Sequence, residues 1–365
     1  MIKLSNRSQL FESSKIRALF DAAATLKDPI SFAIGQPDFG PTEKVKQAAI
    51  DAINSDQSKY TPTQGIKPLR EKISQKLKAE NNILVDPENI IVTPGTSAAF
   101  FLTLSTILNP NDEVIIPEPY FVEYPIIVKF LDAKPVFLDT FPDNFQINIE
   151  KLKSLITEKT RMIILNTPNN PSGAVYPKET LEQIAKIAEE NNLVIVADEI
   201  YEKFIYDGEK PFSIGSIYEN TITLNGLSKS GGMPGWRLAW ASGPSEVIQK
   251  MKDLQQYIFV QAPSTAQYAA LAAFTEEEEI SQNYQQKREL AIQILSKKYK
   301  LEKPQGAFYI MLEVGDEDKF TQWALSQNIL VVPGSAFSDK TNFVRLSYAL
   351  SKDKIEQGIT KLLEY

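Results

Sequence analysis

The 365-residue chain carries 39 lysines and arginines against 46 aspartates and glutamates, a formal net charge of −7, which argues against nucleic acid as its main partner. It contains no cysteine and no histidine, so disulfides, thiolate nucleophiles, cysteine-based metal sites and the commonest general base are all excluded. Proton transfer near neutral pH then falls to a Lys, Asp, Glu or Tyr with a displaced pKa, or to a cofactor.

The opening segment, MIKLSNRSQLFESSKIRALF, is polar throughout and does not read as a signal peptide. No apolar run reaches the roughly 18 residues of a membrane helix, so the expected setting is the cytoplasm, with no membrane partner. The length makes two domains the default. From about residue 89 to 243, β-branched runs at 90–93, 113–116, 135–138, 162–165, 193–197, 221–224 and 237–241 alternate with helix-period segments such as 98–108 and 181–191. This alternation predicts an α/β fold whose large domain has a mostly parallel seven-stranded sheet sandwiched by helices. Runs such as MIILN and LVIVAD lack an in/out pattern, as strands buried on both faces do. Beyond residue 262 the texture becomes a charge-rich helical stretch (266–300, with the acidic run 276–279), then short strands at 307–313, 329–332 and 343–347 and a helix at 352–363. The expected division is an N-terminal segment (1–44) packing with a small α+β domain (266–365), and a large domain (45–265) between them.

Chemistry concentrates in a few segments. GLSKSGGMPGWRLA (226–239) follows a strand-like run, which puts Lys229 at a strand end, where open α/β sheets bind ligands. Arg237 offers a fork suited to phosphate; read alone, the segment is equally a surface loop with an incidental lysine. DEIY (198–201) ends a buried run, so Asp198 needs a cation or serves as a helix cap. Tyr201 is a packed aromatic or a tuning hydroxyl. NTPNNPSG (166–173) is a rigid turn that presents Asn170. VTPGTSAAF (92–100) places Gly95, Thr96 and Ser97 at a helix start, which suits either an anion or ordinary capping.

Taken in order, these segments resemble the class I/II aminotransferases among the fold-type I pyridoxal-phosphate enzymes. The likeness runs from IGQPDFGPT (34–42) through KYTPTQG (59–65), PEPYFVEYP (117–125), GAFY (306–309) and VVPGSAF (331–337) to VRLSYA (344–349). It implies pyridoxal 5′-phosphate on Lys229 as a Schiff base, with Asp198 on the ring nitrogen and Asn170 and Tyr201 on the phenolic oxygen. It further implies that Phe121 stacks on the ring, and that Gly95, Thr96, Ser97, Ser228 and Arg237 take the phosphate. Tyr60 would reach the cofactor of a neighbouring subunit, which implies a homodimer with shared sites. Arg345 would clamp the substrate α-carboxylate with Asn170 and the backbone of Gly35, although a strand arginine paired to a surface acid is the plainer reading. Lys229 would carry the proton in a ping-pong transfer from an L-amino acid to a 2-oxo acid.

Two departures bear on the substrate. Gly226 stands where many members have a phosphate-binding serine. Ser97 stands where some aspartate-using members have a lysine, and 254–264 (LQQYIFVQAPS) contains no arginine. Neutral and aromatic donors are therefore open beside aspartate, with Phe39, Tyr120 and Tyr257 as aromatic candidates. Another fold-type I enzyme, such as a C–S lyase, and a non-catalytic regulatory module are the alternative readings; no added basic segment favours the second.

Overall fold

The computed structural model describes residues 2–11, 26–274, 278–340 and 342–365, with backbone alone at 278 and 279. Its strands are β1 (Ile30–Ser31), β2 (Ile90–Thr93), β3 (Glu113–Glu118), β4 (Lys134–Asp139), β5 (Thr160–Asn166), β6 (Val194–Asp198), β7 (Thr221–Gly226), β8 (Ala239–Ser242), β9 (Tyr309–Glu313), β10 (Ile329–Leu330), β11 (Val332–Pro333) and β12 (Phe343–Ser347). The α-helices among the described residues are α1 (Glu43–Asn54), α2 (Lys67–Asn81), α3 (Thr96–Ile107), α4 (Glu123–Phe130), α5 (Ile149–Leu155), α6 (Lys178–Glu190), α7 (Ser245–Ile258), α8 (Ser264–Ala270), α9 (Glu278–Leu295), α10 (Glu317–Ser326) and α11 (Lys352–Leu362).

The large domain is built on a seven-stranded sheet in the order β2-β8-β7-β6-β5-β3-β4. Only β8 runs against its neighbours, β2 and β7; the remaining pairs are parallel. Each of the seven runs read from the sequence supplies one strand. Side chains divide with the two-residue period of a strand. Val114, Ile116, Ile164, Val196 and Ile222 pack with α3, α4 and α7, whereas Ile115, Ile163, Leu165 and Ile195 pack with α5 and α6. Helices on both faces are why these strands are apolar throughout. The C-terminal ends of β2, β5, β6 and β7 therefore open on one edge, and they carry Thr93, Asn166, Asp198 and Gly226.

The smaller domain combines the antiparallel sheet β11-β12-β9 with the parallel pair β1-β10. Phe32, Phe308, Phe320, Leu346 and Ile355 form its core, and Tyr201 and Phe204 of the large domain belong to the same cluster. At the extreme N-terminus, Arg7 pairs with Asp132, and Phe11 meets Phe130 at 5.6 Å between ring centroids. These residues thus lie on the large domain beside α4, while β1 pairs in the small one. Residues 12–25, which belong to the same expected packing segment, lie outside the described residues.

Four boundaries differ from expectation. The helical stretch expected over 266–300 divides into two helices, α8 and α9. After α8 the hydrogen bonds tighten to a three-residue spacing at Leu271, Ala272 and Ala273, and buried Ala269, Ala270 and Ala273 fasten the turn to the core, so packing overrides alanine's helix propensity. Of the acidic run 276–279, residues 276 and 277 lie outside the described residues. The strand expected at 329–332 serves two sheets: fully buried Val331 separates β10 from β11. The strands expected from 237 and from 307 begin at Ala239 and Tyr309, because Arg237 (φ 54°) and Ala307 (φ 53°) occupy the left-handed region, which breaks an extended run. No helix among the described residues is long and apolar enough to cross a membrane.

Candidate active site

The open edge of the large sheet meets the small domain around a cavity of about 400 Å³, lined among others by Gly35, Thr96, Ser97, Phe121, Asn170, Asp198, Tyr201, Ser228, Lys229, Arg237 and Arg345. These include every residue assigned a cofactor or substrate contact except Gly95, which lies directly behind Arg237, and Tyr60; the aromatic candidates Phe39, Tyr120 and Tyr257 are not among the described lining residues. The topology explains the convergence. Asp198 ends β6, Lys229 lies three residues beyond β7, and the α3 N-terminus follows β2, so consecutive strand ends deliver their loops to one place.

At one end stands Arg237, held by the carbonyls of Pro234 at 3.1 Å and Pro94 at 3.5 Å with no carboxylate partner among the described residues. Its left-handed backbone, costly for a residue with a side chain, aims the guanidinium at the start of α3. There Gly95 (φ 95°) has no room for a Cβ, which would sit 2.3 Å from Arg237 Nη2. The first amides of α3 follow, and a helix start leaves such groups without intrahelical partners. The Gly226 departure also has a local cause: a Cβ there would stand 2.7 Å from that of Ala239.

On the floor, buried Asp198 accepts hydrogen bonds from Tyr124 Oη at 2.6 Å and the Ile200 amide at 3.2 Å, but it has no ion-pair partner among the described residues. Burial pushes its carboxyl up, against the Tyr124 and Ile200 hydrogen bonds and the charge of Lys229. Lys229 Nζ donates to the Gly35 carbonyl at 2.5 Å. Part of that side chain faces the cavity, yet protein surrounds the rest. Burial first, then Arg345, bring the amine down to about 8; Asp198 opposes the shift and Arg237 adds to it.

On the small-domain side, fully enclosed Arg345 donates from Nη1 to Asn170 Oδ1 at 2.9 Å and from Nη2 to the Ala33 carbonyl at 2.8 Å. Its guanidinium lies between the rings of Tyr309 and Phe337, at 4.6 and 4.7 Å, and its Nε finds no acceptor. A buried, unpaired donor of that kind is costly until an anion meets it. The Ala33 carbonyl holds the arginine, while the Gly35 carbonyl faces Lys229. Asn170 Nδ2 donates to Tyr201 Oη at 3.2 Å, and Asn166 Oδ1 receives the Asn170 amide at 2.8 Å.

Tyr124, Asn166 and Tyr309 also line the cavity without having been assigned a part from the sequence. Tyr124 and Tyr309 lie inside the motifs PEPYFVEYP and GAFY, so their positions were visible, but an aromatic in a packed segment reads first as core. Tyr60 is not brought to the cavity; it is 86% exposed. Ser97 Oγ donates to Glu123 Oε2 at 2.8 Å, and burial raises that carboxyl to about 7, with Ser97 and Arg237 opposing and Asp198 reinforcing.

The profile of the family described as aminotransferase class I and II matches residues 27–362. The chain is 40% identical to an aspartate aminotransferase of Pyrococcus abyssi, with 98% of this chain and 97% of that protein covered. It is 39% identical, with the same coverage, to aromatic-amino-acid aminotransferase 2 of Thermococcus litoralis. A solved double mutant of Thermus thermophilus aspartate aminotransferase superposes with a TM-score of 0.95 at 37% identity over the whole of both chains. A family match over nearly the full length, on a fold that agrees to this degree, identifies the chain as a member of the class I and II aminotransferases, pyridoxal-phosphate-dependent enzymes of fold type I.

Proposed function

We propose that this aminotransferase takes its amino group from a neutral or aromatic L-amino acid and passes it to a 2-oxo acid, with pyridoxal 5′-phosphate carried on Lys229. The donor class rests on the cations of the cavity. Among its described lining residues these are Lys229, Arg237 and Arg345, and each has a task that leaves none for a distal carboxylate. Ser97, on the wall, contacts Glu123 and supplies no cation for a distal carboxylate.

The residues fit the cofactor. Arg237, with Gly95, Thr96, Ser97 and Ser228, would hold a phosphate at the start of α3. Phe121 would stack on the ring, and Asn170 and Tyr201 would meet its phenolic oxygen. Asp198, buried without a cation, would be matched by a protonated ring nitrogen. When bound, the ring draws electron density away from the substrate Cα. Lys229 Nζ takes the proton from that carbon and later returns it, so no histidine is needed. Arg345 would grip the α-carboxylate. Two copies share the work: exposed Tyr60, Tyr257, Ile258 and Val260 form an apolar face, joined within one chain by Thr61 Oγ1 donating to Gln261 Oε1 at 2.9 Å. This face would meet a second copy and bring Tyr60 to its phosphate.

Aspartate as donor is the second reading, favoured by what similar proteins are called. Adding L-amino acids singly to the cofactor-loaded enzyme and following the cofactor's absorbance separates the two. Neutral or aromatic donors are expected to convert it at least tenfold more efficiently than aspartate, about 1.4 kcal/mol of discrimination. Aspartate as the best donor would overturn the proposal.

A further inference from the structure

Four side chains around the cavity close into a ring that joins the two domains. Arg345 donates to Asn170, Asn170 donates to Tyr201 Oη, and Tyr201 Oη stands 2.9 Å from Tyr309 Oη. The ring closes where the Tyr309 face carries the Arg345 guanidinium, 4.6 Å from its centroid. Tyr201 and Tyr309 meet nearly edge to face, at 83°, and both are buried. Gly35 packs so closely that a Cβ on it would lie 2.6 Å from Tyr309 Oη. The Tyr309 hydroxyl therefore lies against the Gly35 backbone.

A phenolic oxygen has one proton to give and two lone pairs to fill. Asn170 Nδ2 fills one lone pair of Tyr201. A cation on the Tyr309 ring makes that tyrosine the better donor of the pair, so its proton fills the other. Tyr201 then has no internal acceptor for its own proton, which must point into the cavity, where Lys229 Nζ lies 5.7 Å from the Tyr201 ring. We infer that Tyr309 is a positioning residue for amino transfer: its hydroxyl donates to Tyr201 and thereby aims the Tyr201 proton at the bound cofactor's phenolic oxygen. This rests on the cofactor placement proposed above. It adds a consequence. Neutralising Arg345 with a substrate carboxylate weakens the Tyr309 donor, so carboxylate binding is felt at Tyr201.

A hydrogen bond donated to the phenolic oxygen stabilises its anion, and an anion so stabilised is a weaker base that holds less tightly the proton it shares with the nitrogen joining cofactor to lysine. Losing the Tyr309 hydroxyl weakens the Tyr201 donor and raises the pH midpoint of the cofactor's visible absorbance change. One polarising bond supplies a fraction of a direct one, which sets the expected rise at about half a pH unit.

The test uses the loaded enzyme and Y309F, Y201F and the double variant, each titrated by absorbance. Y309F keeps the ring under Arg345, and a chromophore in each variant shows that the site has folded. Y201F should raise the midpoint more than Y309F, and the double variant should match Y201F, because the Tyr309 hydroxyl acts only through Tyr201. An unmoved Y309F midpoint, or additive shifts in the double variant, overturns the assignment while leaving the cofactor placement intact. A wild-type protein with no such chromophore overturns both.

Discussion

Burial and the Arg345 guanidinium press the Lys229 amine in the same direction, toward its neutral form, and only Asp198 resists. The neutral amine is the species that attacks an aldehyde, so cofactor capture by the empty protein should rise with pH through about 8 and then level off. R345Q removes one positive neighbour. Protonation of Lys229 becomes easier, and the capture profile should move to higher pH by a fraction of a unit, toward the ordinary lysine value of about 10.4. The same variant loses the charged hydrogen bonds to the substrate, so KM for the amino donor should rise about 10–100-fold. An unmoved capture profile in R345Q would show that the arginine does not tune the lysine.

The loop that carries Gly35 to Lys229 is anchored from outside the cavity. Asp38 receives the Lys287 ammonium at 2.5 Å and the Tyr284 hydroxyl at 2.7 Å, and its amide donates back to Tyr284 at 3.1 Å. Both partners belong to α9, and Lys287 is almost wholly buried. D38A leaves that lysine without its ion pair, a change that costs about 3–5 kcal/mol when both partners are buried and less here, where Asp38 is partly exposed. The expected outcome is a lower thermal midpoint and a KM that rises more than kcat falls, since the loop borders the substrate rather than the reacting carbon. Unchanged stability and KM would mean that the loop holds its place without the anchor. At this scale the seven sheet strands were legible because strands covered by helices on both faces need continuous apolar runs. Lys229, Asp198, Arg237 and Arg345 stood out through the order of the motifs that carry them, since the lysine segment read alone is equally a surface loop and Arg345 lies in mid-strand. The break between α8 and α9 was hidden by an alanine-rich stretch that favours helix on either side of it. Val331 looked like the middle of one strand because nothing local marks a residue that passes a chain between two sheets. Tyr309 and Tyr124 were hidden by their own hydrophobicity, since their function lies in one hydroxyl each.

The whole molecule is two domains that meet over the cavity, with the substrate-side Arg345 and Tyr309 on one and Lys229 and Asp198 on the other. Tyr60 fits neither, because the partner proposed for it is a second chain; no reading of one chain's core would place it. Light scattering should give about twice the 41.0 kDa chain mass, and Y60A should weaken cofactor retention while leaving that mass unchanged; a monomer that keeps full cofactor affinity would contradict the shared site. The chemistry of the site centres on the amine of Lys229. Borohydride reduction of the cofactor-loaded enzyme, followed by digestion and mass analysis, should find one pyridoxyl group per chain on the peptide containing Lys229, and a label on any other lysine, or none, would contradict the account.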